Sequence, residues 1–264
     1  MGQPKAGLEW HGSTLLRRVA GLVQRGVDGP VVVVRAPGQA LPSLPAGVEV
    51  LDDPDEGRGP LQGIAVGLTA LSDHAESAFV CSTDLPLLHP AFVRRVTRDS
   101  DTADVVLPFV DGHRQPLAAC YRTSLAATAR RLVAGDRLRP AFLLDGKRVV
   151  VLDERALRAD AALSSADPCL DSVRGVNSPA EYAAARARPA PSVRVQCSGV
   201  LARAGGHAPT TVEAATLGAA ADLVGVVLDR HVLAAVNGDQ ATRDPELPLA
   251  NGDSVALVSA DAGG

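Results

Sequence analysis

The sequence predicts an α/β protein in two parts: a mostly parallel sheet with helices on both faces, then a smaller mixed sheet packed on one helix. Three observations carry this expectation. Short Val- and Leu-rich runs alternate with segments of helical periodicity through the first part of the chain. A short Ala/Arg stretch broken by Pro189 and Pro191 then marks a boundary. Beyond it, apolar runs punctuated by Asn-Gly turns replace the regular alternation.

Taken in order, Leu15, Leu16, Val19, Leu22 and Val23 fall on one helical face, with Ser13 and Thr14 as candidate caps. Val31–Val34, four valines between Pro30 and Arg35, reads as a buried parallel strand. Val48–Leu51 is a second strand. Leu61, Ile64, Ala65, Leu68 and Leu71 return to helical spacing, and Ala78–Ser82 is a third strand ending at Thr83-Asp84. Pro90–Arg98 reads as a helix and Val105–Leu107 as a fourth strand. Asp111-Gly112 is a hairpin turn that sends Leu117–Tyr121 back as a strand. Helices near Leu125–Ala134 and Pro179–Arg186 close this part. After the boundary, Val193–Cys197, Val232–Val236 and Ser254–Ser259 are strands and Thr216–Leu223 is a helix. Asn237-Gly238 and Asn251-Gly252-Asp253 are tight turns. The expected division is 1–188, a linker at 189–192, and 193–264.

Composition narrows the function. Apolar residues make up 46% of the 264, enough for a packed core, but aromatics are only 3%, so Val, Leu and Ala must build it. A net charge of -4 argues against a general nucleic-acid binder, which carries a basic surplus. Cys81, Cys120, Cys169 and Cys197 are scattered with no Cys-x-x-Cys pair, and read as reduced thiols of a cytoplasmic protein. No signal peptide is evident, and no apolar run reaches the roughly 18 residues that a membrane span needs. The six histidines show no metal-ligand spacing, and Trp10 reads as packing beside the first helix.

Chemistry concentrates at a few positions. Asp84, in Ser82-Thr83-Asp84-Leu85-Pro86, sits at the carboxyl end of a strand, where open α/β sheets place ligands. One carboxylate there can hold a Mg²⁺ that bridges nucleotide phosphates; a helix cap or loop Asp is the other reading. Lys5 precedes the first helix, where a cation can neutralise the charge of departing pyrophosphate, or can be a surface lysine. Gly59-Pro60-Leu61-Gln62-Gly63 opens a helix; Gly59 and Gly63 permit close backbone approach, and a helix N-terminus favours anions.

In order and spacing, Met1-Gly2-Gln3-Pro4-Lys5, Gly59–Gly63, Asp84-Leu85-Pro86, Pro116–Tyr121 and Asn177-Ser178-Pro179 resemble the molybdenum cofactor guanylyltransferase family over residues 1–188. The resemblance implies a Rossmann-like nucleotidyltransferase sheet. It implies that Lys5 contacts the GTP phosphates, that Asp53 helps hold the nucleotide, and that Asp84 binds Mg²⁺. The implied reaction is attack by the terminal phosphate of molybdenum-molybdopterin on the α-phosphate of GTP, with pyrophosphate released. In-line transfer of this kind rests on positioning and electrostatics. Two departures stand out. Gly175 replaces the first Asn of the family's Asn-x-Asn-x-Pro, leaving Asn177 as the possible acceptor-site residue. The family's first strand and its Leu-Ala-Gly-Gly turn have no counterpart before Met1. That strand would bury about five apolar residues worth roughly 1.5–3 kcal/mol each. The expectation is a start assigned too late in the reading frame, and poor catalysis by the chain as given.

The last part, 193–264, resembles β-grasp (ubiquitin-like) sulfur carriers, especially the molybdopterin synthase small subunit. The matching pieces are Val193-Arg194-Val195, Ala235-Val236-Asn237-Gly238, Leu249–Val255 and the terminal Gly263-Gly264. The resemblance implies adenylation and then thiocarboxylation of the Gly264 carboxylate. The implied partners are an adenylating and sulfurating enzyme and the molybdopterin synthase large subunit. Two alternatives stay open: a cytidylyl or sugar-phosphate nucleotidyltransferase, and a sulfur carrier whose first part is an inactive scaffold.

Overall fold

The computed structural model of the chain describes residues 5–54, 57–202, 208–239 and 241–259. Gly263 and Gly264, and the motif residues Met1–Pro4, lie outside the described residues.

A small hairpin, β1 (Glu9–Trp10) and β2 (Ser13–Thr14), leads into helix α1 (Leu15–Gln24). Thr14, not Ser13, caps that helix, accepting a hydrogen bond from the Arg17 N–H. β3 (Val31–Arg35) and β4 (Val48–Asp52) pair in parallel. Helix α2 (Pro60–Leu71) begins after Gly59, whose φ of 79° only glycine adopts without strain, and Pro60 takes the first helical position. β5 (Ser77–Cys81), α3 (Pro90–Thr97), β6 (Val105–Val110), β7 (His113–Arg114), β8 (Ala118–Arg122) and α4 (Ala126–Ala134) follow. β9 (Val149–Asp153), α5 (Glu154–Arg158), α6 (Ala161–Ala166) and α7 (Pro179–Arg186) complete the larger region.

Its five-stranded sheet runs β5-β8-β6-β7, with β9 parallel to β6. The expected mostly parallel pairing needs correcting. Asp111 and Gly112, both at positive φ, turn the chain back, and β8 enters antiparallel between β5 and β6. A second difference is that β3 and β4 form a separate two-stranded sheet.

Helices cover both faces, as the alternation predicted. On one side α1, α3, α5 and α6 bury Val19, Leu22, Phe92, Val93, Leu157 and Leu163 against Val106, Val110 and Cys120. On the other, α2 and α4 bury Leu61, Ile64, Leu68 and Ala129 against Val105, Leu107, Ala119 and Tyr121. Each fully buried Leu contributes roughly 1.5–3 kcal/mol relative to exposure. Trp10 is buried with Leu15 and Val176 and meets the ring of Tyr182 edge-on.

The C-terminal region holds β10 (Ser192–Cys197), β11 (Thr210–Glu213), α8 (Leu217–Leu223), β12 (Val232–Val236) and β13 (Ser254–Ser259). The strands form one mixed sheet in the order β11-β10-β13-β12. The central pair β10–β13 is parallel and both outer pairs are antiparallel. Inward residues of β10, β12 and β13 bury Val193, Val195, Val232, Ala234, Val255 and Leu257 against Leu217, Ala220 and Ala221 of α8. Among the described residues, no helix is long and apolar enough to cross a membrane.

The two regions are joined through α1. Arg25 makes a two-pronged pair with Asp253, at 2.7 and 2.8 Å. Arg17 pairs with Asp244 at 2.8 Å. The buried Arg18 donates to the carbonyls of Pro86, Ala215 and Leu249, and burial pushes its guanidinium down to about 10 with help from Arg25, so it stays charged at neutral pH. Gly21 lies so close to Pro248 that a Cβ there would sit 2.6 Å from the ring.

Candidate active site

The carboxyl ends of β4 and β5, the start of α2, and the segments before α1 and α7 carry the predicted residues. β5 ends at Cys81, and Ser82 and Asp84 follow directly. The Ser82 hydroxyl donates to one Asp84 carboxylate oxygen, and Lys5 Nζ lies 3.2 Å from the other. Lys5 Nζ also donates to Asn177 Oδ1 at 3.0 Å. Three predicted residues from distant parts of the chain thus meet in one cluster. The Lys5 and Asp84 side chains keep 33% and 18% of their surface open, so the pair remains reachable from solution.

Asn177 is itself held. The Glu181 carboxylate accepts from the backbone N–H groups of Asn177, at 2.7 Å, and Ser178, and Ser178 Oγ accepts from Glu181 N–H. This reciprocal cap opens α7, and Pro179 occupies its first turn. Those two backbone donors, foremost, keep the Glu181 carboxyl below its usual range. Val176 N–H reaches the Asp84 carbonyl at 2.9 Å, so backbone as well as side chain ties the segment before α7 to the loop after β5. Gly175 is tightly surrounded here: a Cβ would stand 3.2 Å from Asn177 Nδ2 and 3.8 Å from the Asp84 carboxylate carbon.

Asp53 and Gly59 belong to a second cluster. Asp53 follows β4, and its carboxylate accepts from the Gln62 side chain in the first turn of α2. Its own N–H is bound by the Arg35 carbonyl at 2.7 Å. The start of α2 is pinned from outside as Arg58 donates to the Val133 carbonyl at 2.7 Å. Gly63 lies one turn further along and lines the same cavity as Ser82 and Thr83.

Sequence reasoning missed Ser82, Gln62 and Glu181 as supporting residues. Only Glu181 had a readable signal, the Ser178-Pro179-Ala180-Glu181 cap pattern.

Among the described residues no three His, Cys, Asp or Glu side chains converge as a metal cluster. Mg²⁺ in phosphate chemistry is commonly held by one or two carboxylates, with waters and substrate phosphates completing the shell. A single hard-oxygen carboxylate at Asp84 fits that donor set.

Comparison with known proteins decides the family. Residues 1–151 match the model of the MobA-like NTP transferase domain. The chain belongs to the MobA-like NTP transferase domain family. The chain is similar to a probable molybdenum cofactor guanylyltransferase of Mycobacterium tuberculosis, 40% identical over 165 residues, which cover 60% of this chain and 80% of the relative. A protein of the same name from Mycobacterium avium is 38% identical over 165 residues, 60% of this chain and 82% of the relative. Among solved structures, molybdopterin-guanine dinucleotide biosynthesis protein A of Archaeoglobus fulgidus superposes with a TM-score of 0.55 at 21% identity, covering 70% of this chain and 90% of its own. The 2-C-methyl-D-erythritol 4-phosphate cytidylyltransferase of Thermus thermophilus reaches a TM-score of 0.51 at 20% identity, over 70% and 93%. These two carry the fold alone. As a member of the MobA-like family the chain is a nucleotidyltransferase, and its α/β architecture is that of the fold.

Proposed function

We propose that the chain transfers GMP from GTP to molybdenum-molybdopterin, releasing pyrophosphate. The observation that carries this is the meeting of Lys5, Asp84 and Asn177 at the carboxyl edge of the sheet. Similarity to proteins named molybdenum cofactor guanylyltransferase supports the choice of GTP and of a molybdopterin acceptor. In this reading a phosphate oxygen of the acceptor attacks the α-phosphorus of GTP, and the bond to the β-phosphate oxygen breaks. Lys5 is placed to neutralise charge on the departing pyrophosphate. Asp84 would hold Mg²⁺, and the Ser82 hydroxyl orients its carboxylate. When bound, the ion offsets the negative charge gathered on the phosphates. Gly59 and Gly63 let the backbone at the start of α2 approach the nucleotide, with Asp53 fixing that turn through Gln62. Asn177 faces the acceptor, and Gly175, with no Cβ, lets the Asn177 side chain lie close beside Asp84.

For residues 193–264 we propose a β-grasp sulfur carrier, joined at 189–192 to the transferase of 1–188. Its support is the strand order β11-β10-β13-β12 with a parallel central pair and α8 across the sheet. An adenylating enzyme would activate the Gly264 carboxylate with ATP, releasing pyrophosphate. A sulfur donor would then displace AMP to leave a thiocarboxylate for the molybdopterin synthase large subunit. The place of action is proposed as the cytoplasm.

Nucleotide selection tests the transferase reading. With Mg²⁺ present, GTP should raise the melting temperature more than CTP or UTP does. Stronger protection by CTP or UTP would overturn it.

A further inference from the structure

The loop that carries Asp84 is held along its length, and its far half is held by the C-terminal region. At its start the Ser82 hydroxyl donates to the Asp84 carboxylate, and the Asp84 carbonyl accepts from Val176 N–H at 2.9 Å. Two residues on, the Pro86 carbonyl accepts from Arg18 Nε at 2.7 Å. The loop ends at His89, whose Nδ1 accepts from Ala91 N–H at the start of α3. The neutral ring therefore carries its proton on Nε2, which lies 3.0 Å from the carbonyl of Asn251 in the C-terminal region. Leu85 and Leu88, between these points, are buried in the core.

Arg18 reaches the C-terminal region as well. Its Nη1 donates to the carbonyls of Ala215, at 3.3 Å, and Leu249, at 3.2 Å. Those two residues belong to one tied piece of backbone. Leu249 N–H donates to the Ala215 carbonyl at 2.9 Å, and Leu217 N–H to the Leu247 carbonyl at 3.0 Å. The piece is seated firmly, since Ala250 is buried in the core of the larger region and Pro248 lies against Gly21. One guanidinium thus spans the Asp84 loop and the docked region.

Stability alone does not call for an arginine at this place. A buried guanidinium gives up hydration that an apolar side chain of similar volume never had, and such replacements are often neutral or stabilising. What the planar fork adds is geometry, because it fixes the carbonyls it binds relative to one another.

We propose that Arg18 is a positioning residue: through the Pro86 carbonyl it couples the docked C-terminal region to the Asp84 loop, so that docking sets the affinity of Asp84 for metal and nucleotide. The inference rests on the reading of Asp84 as the metal-holding carboxylate. Coupling of this kind is reciprocal, so metal and nucleotide bound at Asp84 also tighten the docking. The state of the C-terminal region is thereby felt at the transferase site.

The test uses the 264-residue chain with GTP and no acceptor, and reads binding of Mn²⁺, a paramagnetic stand-in for Mg²⁺ at an oxygen site, by electron paramagnetic resonance. Arg18→Met should weaken binding of Mn²⁺ with GTP about tenfold, within the roughly 5–150-fold range of ordinary coupling. In the unaltered chain Mn²⁺ and GTP together should slow hydrogen exchange at the Leu217 and Leu249 N–H groups. In Arg18→Met they should leave it unchanged. A residue that only stabilised the fold would alter exchange with and without ligand and would not sever this response. Arg18→Lys keeps the charge but replaces the fork with one ammonium, and should weaken binding about threefold. It takes the place of Arg18→Met if that protein does not melt cooperatively. The inference is overturned if the folded variant binds Mn²⁺ and GTP as the unaltered chain does, or if exchange at Leu217 and Leu249 responds equally in both. Asp84→Ala separates this inference from the reading beneath it. Binding lost in Asp84→Ala but full in Arg18→Met refutes the inference alone. Full binding in Asp84→Ala, or none by the unaltered chain, refutes the reading of the site and the inference with it.

Discussion

The two regions of this chain differ in how completely their sheets are paired. In the C-terminal sheet, β10 and β13 are paired on both sides and every inward Val or Leu meets α8 or a neighbouring strand. In the larger region β3 and β4 form a sheet separate from the five-stranded one, and residues of β3 and β5 line a shared cavity. The C-terminal sheet buries its inward face on its own helix α8. The larger region is tied to the C-terminal one by Arg17 and Arg18 of α1 and by Arg25 just after it. Docking between regions is therefore part of the fold of the larger one, and lies close to its chemistry, because Arg18 grips the carbonyl of Pro86, two residues beyond Asp84.

This contrast can be broken at several points. The largest effect is expected at the catalytic edge. Asp84→Ala should lower Mg²⁺-dependent nucleotidyl transfer about a thousandfold, the equivalent of ~4 kcal/mol in the barrier, while the melting temperature moves little. Activity within threefold of the unaltered protein would remove Asp84 from the site. Next comes the joint between the regions. Arg25→Met leaves Asp253, whose side chain is 4% exposed, without its guanidinium. Removing one partner of such a pair costs about 3 kcal/mol, or roughly 10 °C in calorimetry. An unchanged melt would mean that the docking contributes nothing.

The same pair gives a pH dependence. Burial opposes ionisation of Asp253, but the Arg25 guanidinium, the Ala250 N–H and the Asn237 amide outweigh it and hold the carboxyl below its usual value. A carboxyl depressed on folding stabilises fully above its unfolded pKa of about 3.9, and that stabilisation is lost as pH falls through the folded value. Melting temperature should therefore drop below about pH 4, and Arg25→Met should flatten the drop. Parallel curves for the two proteins would exclude Asp253 as the group responsible. The smallest effect is expected at Gly175→Ala. Its Cβ would press on Asn177 Nδ2 at 3.2 Å, so KM for the acceptor should rise about fivefold, or ~1 kcal/mol, with KM for GTP unchanged.

How much of this was legible in the sequence varies with how local the signal is. The Val31–Val34 run, the Asp111-Gly112 turn and the spaced apolar residues of α1 are written within a few residues, and each element formed as read. Strand order is not local. Nothing in Ala118–Arg122 says that it lies between β5 and β6, and β9 went unread although Val149–Leu152 is as apolar as the run in β3. The roles of Arg17 and Arg25 were not legible, because the carboxylates of Asp244 and Asp253 that bind them lie more than 200 residues on. Asp84 could be read from its place at a strand end, and Lys5 only through a resemblance. Their meeting with Asn177 is a product of the fold.

Pyrophosphate release tests the central claim most directly. The chain would be given Mg²⁺, GTP and molybdenum-molybdopterin, and pyrophosphate measured against the same mixture with CTP. The account predicts release with GTP that requires the acceptor, disappears in Asp84→Ala, and falls steeply in Lys5→Ala. Release that is equal with CTP, or that survives the loss of both Lys5 and Asp84, would contradict it.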